Sequence, residues 1–333
     1  GGTGTGEGEA LWWTVRVEES EDEEEEEEGD AIARTVWARM HVPAIVASAA
    51  RGSGLDPSLT AAAAAGVGGS SGANIGGRPG RGGASPAGGL PKAPSSFVEA
   101  GFVVRVPRSV ASGAARAAAV VQYGHGLFGD RSEVMDGFLG KMAERGRWVL
   151  VATDWRGMSR FDLPVVARAL LADPELLMTG TPGDTMQGFL NQEAVLMLVH
   201  RRLQAFLGPS ALPLGGDEPP PVKVFYGISQ GAILGGAYAA FSPQVERAVL
   251  GSGGAPWAQV IPRSSDFPAY GSLLKLGLRG DDPSDPSGGG SRAALLFLSL
   301  LQTCWDGMDA GGWLAPPPHG GGGGGGGAGG EGG

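Results

Sequence analysis

Between residues 97 and 255 the apolar positions fall into short continuous runs, and the polar positions cluster between them. Residues 118–123 (AAVVQY), 148–153 (WVLVAT), 222–226 (VKVFY) and 245–250 (VERAVL) are four such runs. Runs of this length without strict alternation predict strands covered on both faces, as in a parallel sheet. Helical spacing lies between them. Val134, Phe138 and Met142 recur every four residues and predict one helix face, with Gly146 as its stop. Phe189, Leu196, Val199, Leu203 and Phe206 form a second stripe, with Gln192, Glu193, Arg201 and Gln204 largely off it. Strand alternating with helix predicts an α/β sheet with a ligand site at the carboxyl ends of the strands. Upstream, residues 12–17, 35–46 and 97–106 read as shorter strands of an antiparallel, β-rich N-terminal region.

Composition narrows which parts of the chain build that sheet. Of 333 residues 62 are glycine, concentrated in 66–89 and from Gly320 onward. Segments so poor in apolar side chains cannot offset their ordering entropy, so they are expected outside the core. The resulting division is an acidic segment at 1–30, a short β-rich segment at 31–58, a Gly/Ala/Ser linker at 59–96, an α/β core at 97–313 and a Pro/Gly-rich tail at 314–333. The net charge of −10 is local: residues 18–30 hold eleven of the 35 acids, leaving 24 against 25 lysines and arginines. A like-charge run reads as a solvated loop. No basic stripe interleaves with aromatics, so nucleic-acid binding is not expected. Cys304 is the single cysteine, which excludes an internal disulfide or a multi-cysteine metal site. The apolar runs are too short to span a bilayer. Compartment and oligomeric state are not legible.

Three strand ends carry glycine-rich loops: Gly124-His125-Gly126-Leu127, Asp154-Trp155-Arg156-Gly157-Met158-Ser159 and Gly227-Ile228-Ser229-Gln230-Gly231. The last fits G-x-S-x-G between a strand and a small-residue helix, the setting in which a tight turn presents a serine hydroxyl. The spacing alone proves little, because Gly68-Gly69-Ser70-Ser71-Gly72 fits it too, without strand or helix around it. Acyl transfer also needs preorganised donors for an oxyanion, usually backbone N–H groups. The donors read here are Gln230, after the serine, and Leu127, in the earlier loop.

These three loops, in this order, resemble those of the α/β-hydrolase superfamily near its lipase and esterase members, and the Ser-Gln-Gly elbow resembles cutinase-type esterases. The resemblance covers about residues 97–255 and implies a mostly parallel α/β-hydrolase sheet. It implies Ser229 as nucleophile, Gly227 and Gly231 as elbow glycines, and Gly124, His125 and Gly126 as shapers of the oxyanion loop. It further implies a small ester or lipid-like substrate, with no cofactor or metal. One departure matters. The family's acid and histidine follow the serine, and here the only later histidine is His319, between Pro316-Pro317-Pro318 and polyglycine. Asp266, Asp306 and Asp309 are the acids in reach, none at a clear strand end. The expectation is therefore a sheet incomplete at its C-terminal side, from a hydrolase whose acid–histidine end lies beyond this chain.

Other readings compete. Gly124–Gly129 also fits G-x-G-x-x-G with Asp154 closing the next strand, the arrangement of an NAD(P)-binding oxidoreductase. A hydrolase-like scaffold without catalysis is the third. His41 and His200 read as surface or boundary histidines, and Asp154 and Arg156 as loop-fixing partners. Residues 157–188, rich in leucine, read as a connecting helix, with a lid as the alternative.

Overall fold

A computed structural model describes residues 15–16, 31–45, 96–215, 219–278 and 289–313. The expected acidic segment at 1–30 apart from residues 15–16, the linker at 59–96 apart from residue 96, and the tail with His319 lie outside the described residues. One mixed sheet of seven strands organises the rest, in the order β1-β2-β3-β5-β4-β6-β7. β1 (Val15–Arg16), β2 (Ile32–Pro43) and β3 (Phe97–Pro107) pair antiparallel, and β3 joins β5 (Trp148–Thr153) antiparallel. From there β5, β4 (Ala119–Gly124), β6 (Val222–Ile228) and β7 (Arg247–Gly251) run parallel.

Period-two alternation divides the core. Val104, Val120, Val149 and Val151 face one side of the sheet, where α3 (Glu175–Arg201) covers them with Val195, Leu196 and Val199. Val103, Val121, Leu150 and Ala152 face the other side, against Leu139 and Ala143 of α1 (Gly137–Gly146). Each fully buried valine or leucine of this kind contributes about 1.5–3 kcal/mol relative to exposure. A further cluster lies beyond the strand ends. It joins α2 (Leu163–Ala172), α4 (Gln230–Phe241), α5 (Phe267–Gly277) and α6 (Gly289–Trp305) around Trp155, Trp257 and Trp305.

Four expectations are corrected. The Val134–Phe138–Met142 stripe is not one helix face: a 3-10 turn (Arg131–Met135) ends there, Asp136 caps a new helix by accepting from Phe138 N–H at 2.7 Å, and Phe138 is 64% exposed. The second helix begins at Glu175, well before Phe189, and breaks at Arg202 before a short turn at Leu203–Leu207. Gln192 is fully buried, because its side chain accepts from Gln122 Nε2 at 2.8 Å and donates to the Thr153 carbonyl at 3.2 Å across the sheet. β7 is expected as a buried strand, yet Val249 and Leu250 are exposed, because among the described residues no strand flanks its outer edge.

Candidate active site

β6 passes directly into α4, and the single residue between them is Ser229. Its φ of 55° and ψ of −122° lie outside the ordinary regions for a residue with a Cβ. The backbone is tied in place: Ser229 N–H donates to the Gly251 carbonyl at 2.9 Å, and its own carbonyl accepts from Ala232 at 2.9 Å and Ile233 at 3.1 Å. The hydroxyl has no hydrogen-bond partner among the described residues, and the residue is exposed.

The two elbow glycines are demanded by close backbone approach. A Cβ on Gly227 would lie 2.2 Å from the Gly231 carbonyl oxygen, and one on Gly231 would lie 2.1 Å from that of Gly124. Gly231 thereby presses the start of α4 against the Gly124–Leu127 loop, which leaves the adjoining strand β4. The sequence could not supply this contact, since over a hundred residues separate its two sides.

That loop is fixed from both ends. His125 is fully buried. Its Nε2 accepts from Trp155 N–H at 2.8 Å, so Nδ1 carries the proton and donates to the Gly126 carbonyl at 2.9 Å. Burial lowers its pKa, only partly opposed by the Gly126 carbonyl, which keeps the ring neutral. Gly126 N–H donates to Glu133 Oε2 at 2.9 Å. Glu133 was not anticipated from sequence; the signal was its place in the turn just after the glycine loop.

With Gly126 occupied, the neighbouring N–H of Leu127 finds no acceptor among the described residues, and neither does that of Gln230 at the first turn of α4. Unpaired backbone donors favour a developing negative charge, and Gln230 adds the positive end of α4, whereas Leu127 lies in a turn. The Gln230 side chain is buried and donates from Nε2 to the Met158 carbonyl at 2.9 Å, holding the Asp154–Ser159 loop against the elbow. In that loop Asp154 accepts from Arg131 N–H at 2.8 Å and pairs with its guanidinium, while Arg156 pairs with Asp184 at 2.9 Å. Ser159 donates from Oγ to Asp162 at 2.6 Å, where burial raises the Asp162 pKa against that hydrogen bond. All three glycine loops thus meet around Ser229.

Leu127, Ser229 and Gln230 line a cavity of about 660 Å³, closed by residues of α2, α4, α5 and α6. Residues 163–172, expected as a connecting helix, supply part of its wall through Val166 and Leu170. No histidine lines it among the described residues. His41 is an exposed residue of β2 paired with Glu99, and His200 bonds the Pro221 carbonyl at 3.2 Å. Asp266 lies at the start of α5, exposed, and Asp306 opens a 3-10 turn. Asp309 is fully buried and accepts from Trp257 N–H at 2.5 Å and Gly311 N–H at 2.7 Å, an anchoring role rather than a free carboxylate.

Parallel strands β4–β7, a serine on the strand-to-helix turn and a loop from the neighbouring strand pressed against it decide the architecture. The fold is of the α/β-hydrolase type. No family model and no curated protein matches the chain. Among solved structures this hydrolase-type fold is similar to acetyl xylan esterase 1 from Thermoanaerobacterium sp. (11% identity, 90% of this chain and 68% of that one, TM-score 0.40). It is also similar to a thermostable carboxyl esterase from Bacillus coagulans (15%, 63% and 68%, TM-score 0.34). A third is the Pyrococcus horikoshii acylaminoacyl peptidase (17%, 61% of this chain, TM-score 0.31), of which the aligned part spans only 28%. At such scores the likeness says nothing about chemistry.

Proposed function

We propose that this chain is a serine-dependent acyl hydrolase with Ser229 as its nucleophile. The observation that carries the reading is Ser229 itself: an exposed residue on a left-handed-φ turn, lining one cavity with Leu127 and Gln230, whose backbone N–H groups find no acceptor among the described residues. In the reaction a lone pair of Ser229 Oγ forms a bond to an ester carbonyl carbon, and the C=O π pair moves onto the carbonyl oxygen. The N–H groups of Leu127 and Gln230, with the positive end of α4, hold that oxyanion. Collapse breaks the ester C–O bond, and the alcohol leaves with the serine's proton. Water then releases the acid from the acyl-serine. Neither metal nor cofactor enters these steps.

The proton needs a base. His125 has both ring nitrogens committed, and His41 and His200 sit on other elements away from the cavity lining. Among the described residues no histidine is placed to take that proton, and the carboxylate that borders the cavity is the exposed Asp266.

Fluorophosphonate labelling tests the proposal. Wild type is expected to label, Ser70→Ala to label equally, and Ser229→Ala not at all; labelling that survives Ser229→Ala refutes it. A non-catalytic scaffold is the second reading, favoured by the lack of a histidine at the cavity among the described residues. It predicts a folded protein that neither labels nor turns over p-nitrophenyl esters. The dinucleotide reading is disfavoured by Glu133. Its carboxylate takes the Gly126 N–H, and its Oε1 lies 1.7 Å from where a Gly129 Cβ would stand. A pyrophosphate on this loop would meet a negative charge where the motif needs free N–H donors.

A further inference from the structure

The cavity beside Ser229 has a chemistry that narrows what it can take. Its inner wall is hydrocarbon: Ile233 of α4, Leu274 of α5, Leu298 and Leu301 of α6, and the rings of Trp257 and Trp305, all buried. The charged residues that border it, Arg263 and Asp266, are exposed and therefore lie at its solvent edge. Its volume of about 660 Å³ falls within the ~300–1,000 Å³ of pockets that enclose small organic ligands.

The wall is held rather than loosely collapsed. Asp309 anchors the Trp257 turn through the backbone N–H and also accepts from Gln302 Nε2 of α6 at 3.2 Å. Trp257 meets Trp305 edge-to-face at 5.7 Å, and Trp305 Nε1 donates to the Leu177 carbonyl of α3 at 2.8 Å. On the opposite side of the chemistry, Phe128 of the Leu127 loop contacts Tyr270 of α5 at 5.4 Å. The same α5 thus borders both the cavity and the loop bearing the Leu127 N–H.

A carbonyl placed at Ser229 leaves its substituent facing this interior. A charged or heavily hydroxylated group would surrender its hydration there for few replacement partners, the unpaired Trp257 Nε1 and Gln230 Oε1 among them, whereas each buried methylene gains. We propose that the cavity is an acyl-binding site for medium-chain or ring-bearing hydrocarbon acids, so that the substrate is an apolar carboxylic ester. This rests on the serine-hydrolase reading for the word substrate, but the binding itself does not need turnover.

Tryptophan fluorescence reads the binding, because Trp257 and Trp305 line the cavity. The Ser229→Ala protein is titrated with methyl acetate, methyl butanoate and methyl octanoate, each below its solubility limit. Affinity is expected to rise about two- to fourfold per added methylene. Ile233→Phe and Val260→Phe, filling the cavity from two different elements, should each weaken methyl octanoate at least tenfold while circular dichroism stays native. If Ile233→Phe does not fold, Val260→Phe, on a partly exposed turn, decides. Affinity independent of chain length, or untouched by filling in a folded variant, overturns the assignment. Length-dependent binding without Ser229-dependent labelling keeps the acyl site and removes the hydrolase reading. Labelling without length dependence does the reverse.

Discussion

Gly231→Ala measures how far the active geometry depends on contact between two distant loops. The added Cβ would stand 2.1 Å from the Gly124 carbonyl oxygen, 2.6 Å from its carbon and 2.8 Å from the His125 oxygen. All three are backbone atoms of a loop fixed by His125 and Glu133, so no rotamer change relieves them. Reaching even a 3.0 Å contact with Gly124 requires an opening of about 0.9 Å. Overpacking of that kind costs about 1–3 kcal/mol. A displacement near 1 Å between reacting groups costs about a hundredfold in rate. Gly126→Ala in the same loop is the matched control. Its Cβ would find only Glu133 oxygens at 3.8 Å, an ordinary contact, and it should cost under about 0.5 kcal/mol. Urea unfolding followed by far-UV circular dichroism gives the stabilities, and the rate of fluorophosphonate labelling gives the second readout. Equal stability and equal labelling of the two variants would falsify the claim that the Gly231–Gly124 approach positions the Leu127 and Gln230 donors.

Three further outcomes are expected. Asp309→Ala strands the buried N–H of Trp257 and removes the acceptor of the exposed Gly311 N–H, and should lower stability by about 1–3 kcal/mol in urea unfolding, more than Asp306→Ala, whose exposed carboxylate accepts from Gln302. His125 is held below its ordinary value of 6.5 by burial, so the unfolded chain takes up the proton first; stability should be full above pH 6.5 and fall as the pH drops below it, with His125→Asn flattening that slope in unfolding midpoints measured from pH 8 to 5. Tyr238→Phe removes the hydroxyl that donates to Gln122 Oε1 at 3.0 Å in the buried network and should cost about 1–2 kcal/mol in the same assay, without changing labelling at Ser229.

The parallel strands were legible because burial on both faces writes itself as continuous apolar runs, and β4 and β5 show it, while β6 is buried at Phe225 and Gly227 and half-buried elsewhere. The α3 helix was only half legible. Its first half mixes Gly180, Thr181, Pro182 and Gly183 with apolar residues, and tertiary contacts, not periodicity, keep it helical. Gln192 was misplaced for a related reason: a glutamine is polar in sequence, but opposite Gln122 it satisfies both amides and can be buried. The glycine loops announced themselves by composition. Tyr270 did not, and Asp309 was legible as an acid but not as an anchor, because each acts across a sequence gap by a contact that no local pattern encodes.

The parts of the site differ in how they are held, and that separates binding from chemistry. The two N–H donors belong to the backbone, and their placement depends on glycine contacts and on the neutral imidazole of His125. The cavity depends instead on side-chain packing of α5 and α6 and on the Asp309 anchor. A change such as Gly231→Ala should therefore damage reactivity at Ser229 while leaving hydrocarbon affinity largely intact. Asp309→Ala should loosen the cavity and weaken methyl octanoate binding while Ser229 keeps its exposed position. Were both variants to lose both properties in parallel, the two halves would be one cooperative unit, and an acyl site separable from the elbow would have to be abandoned.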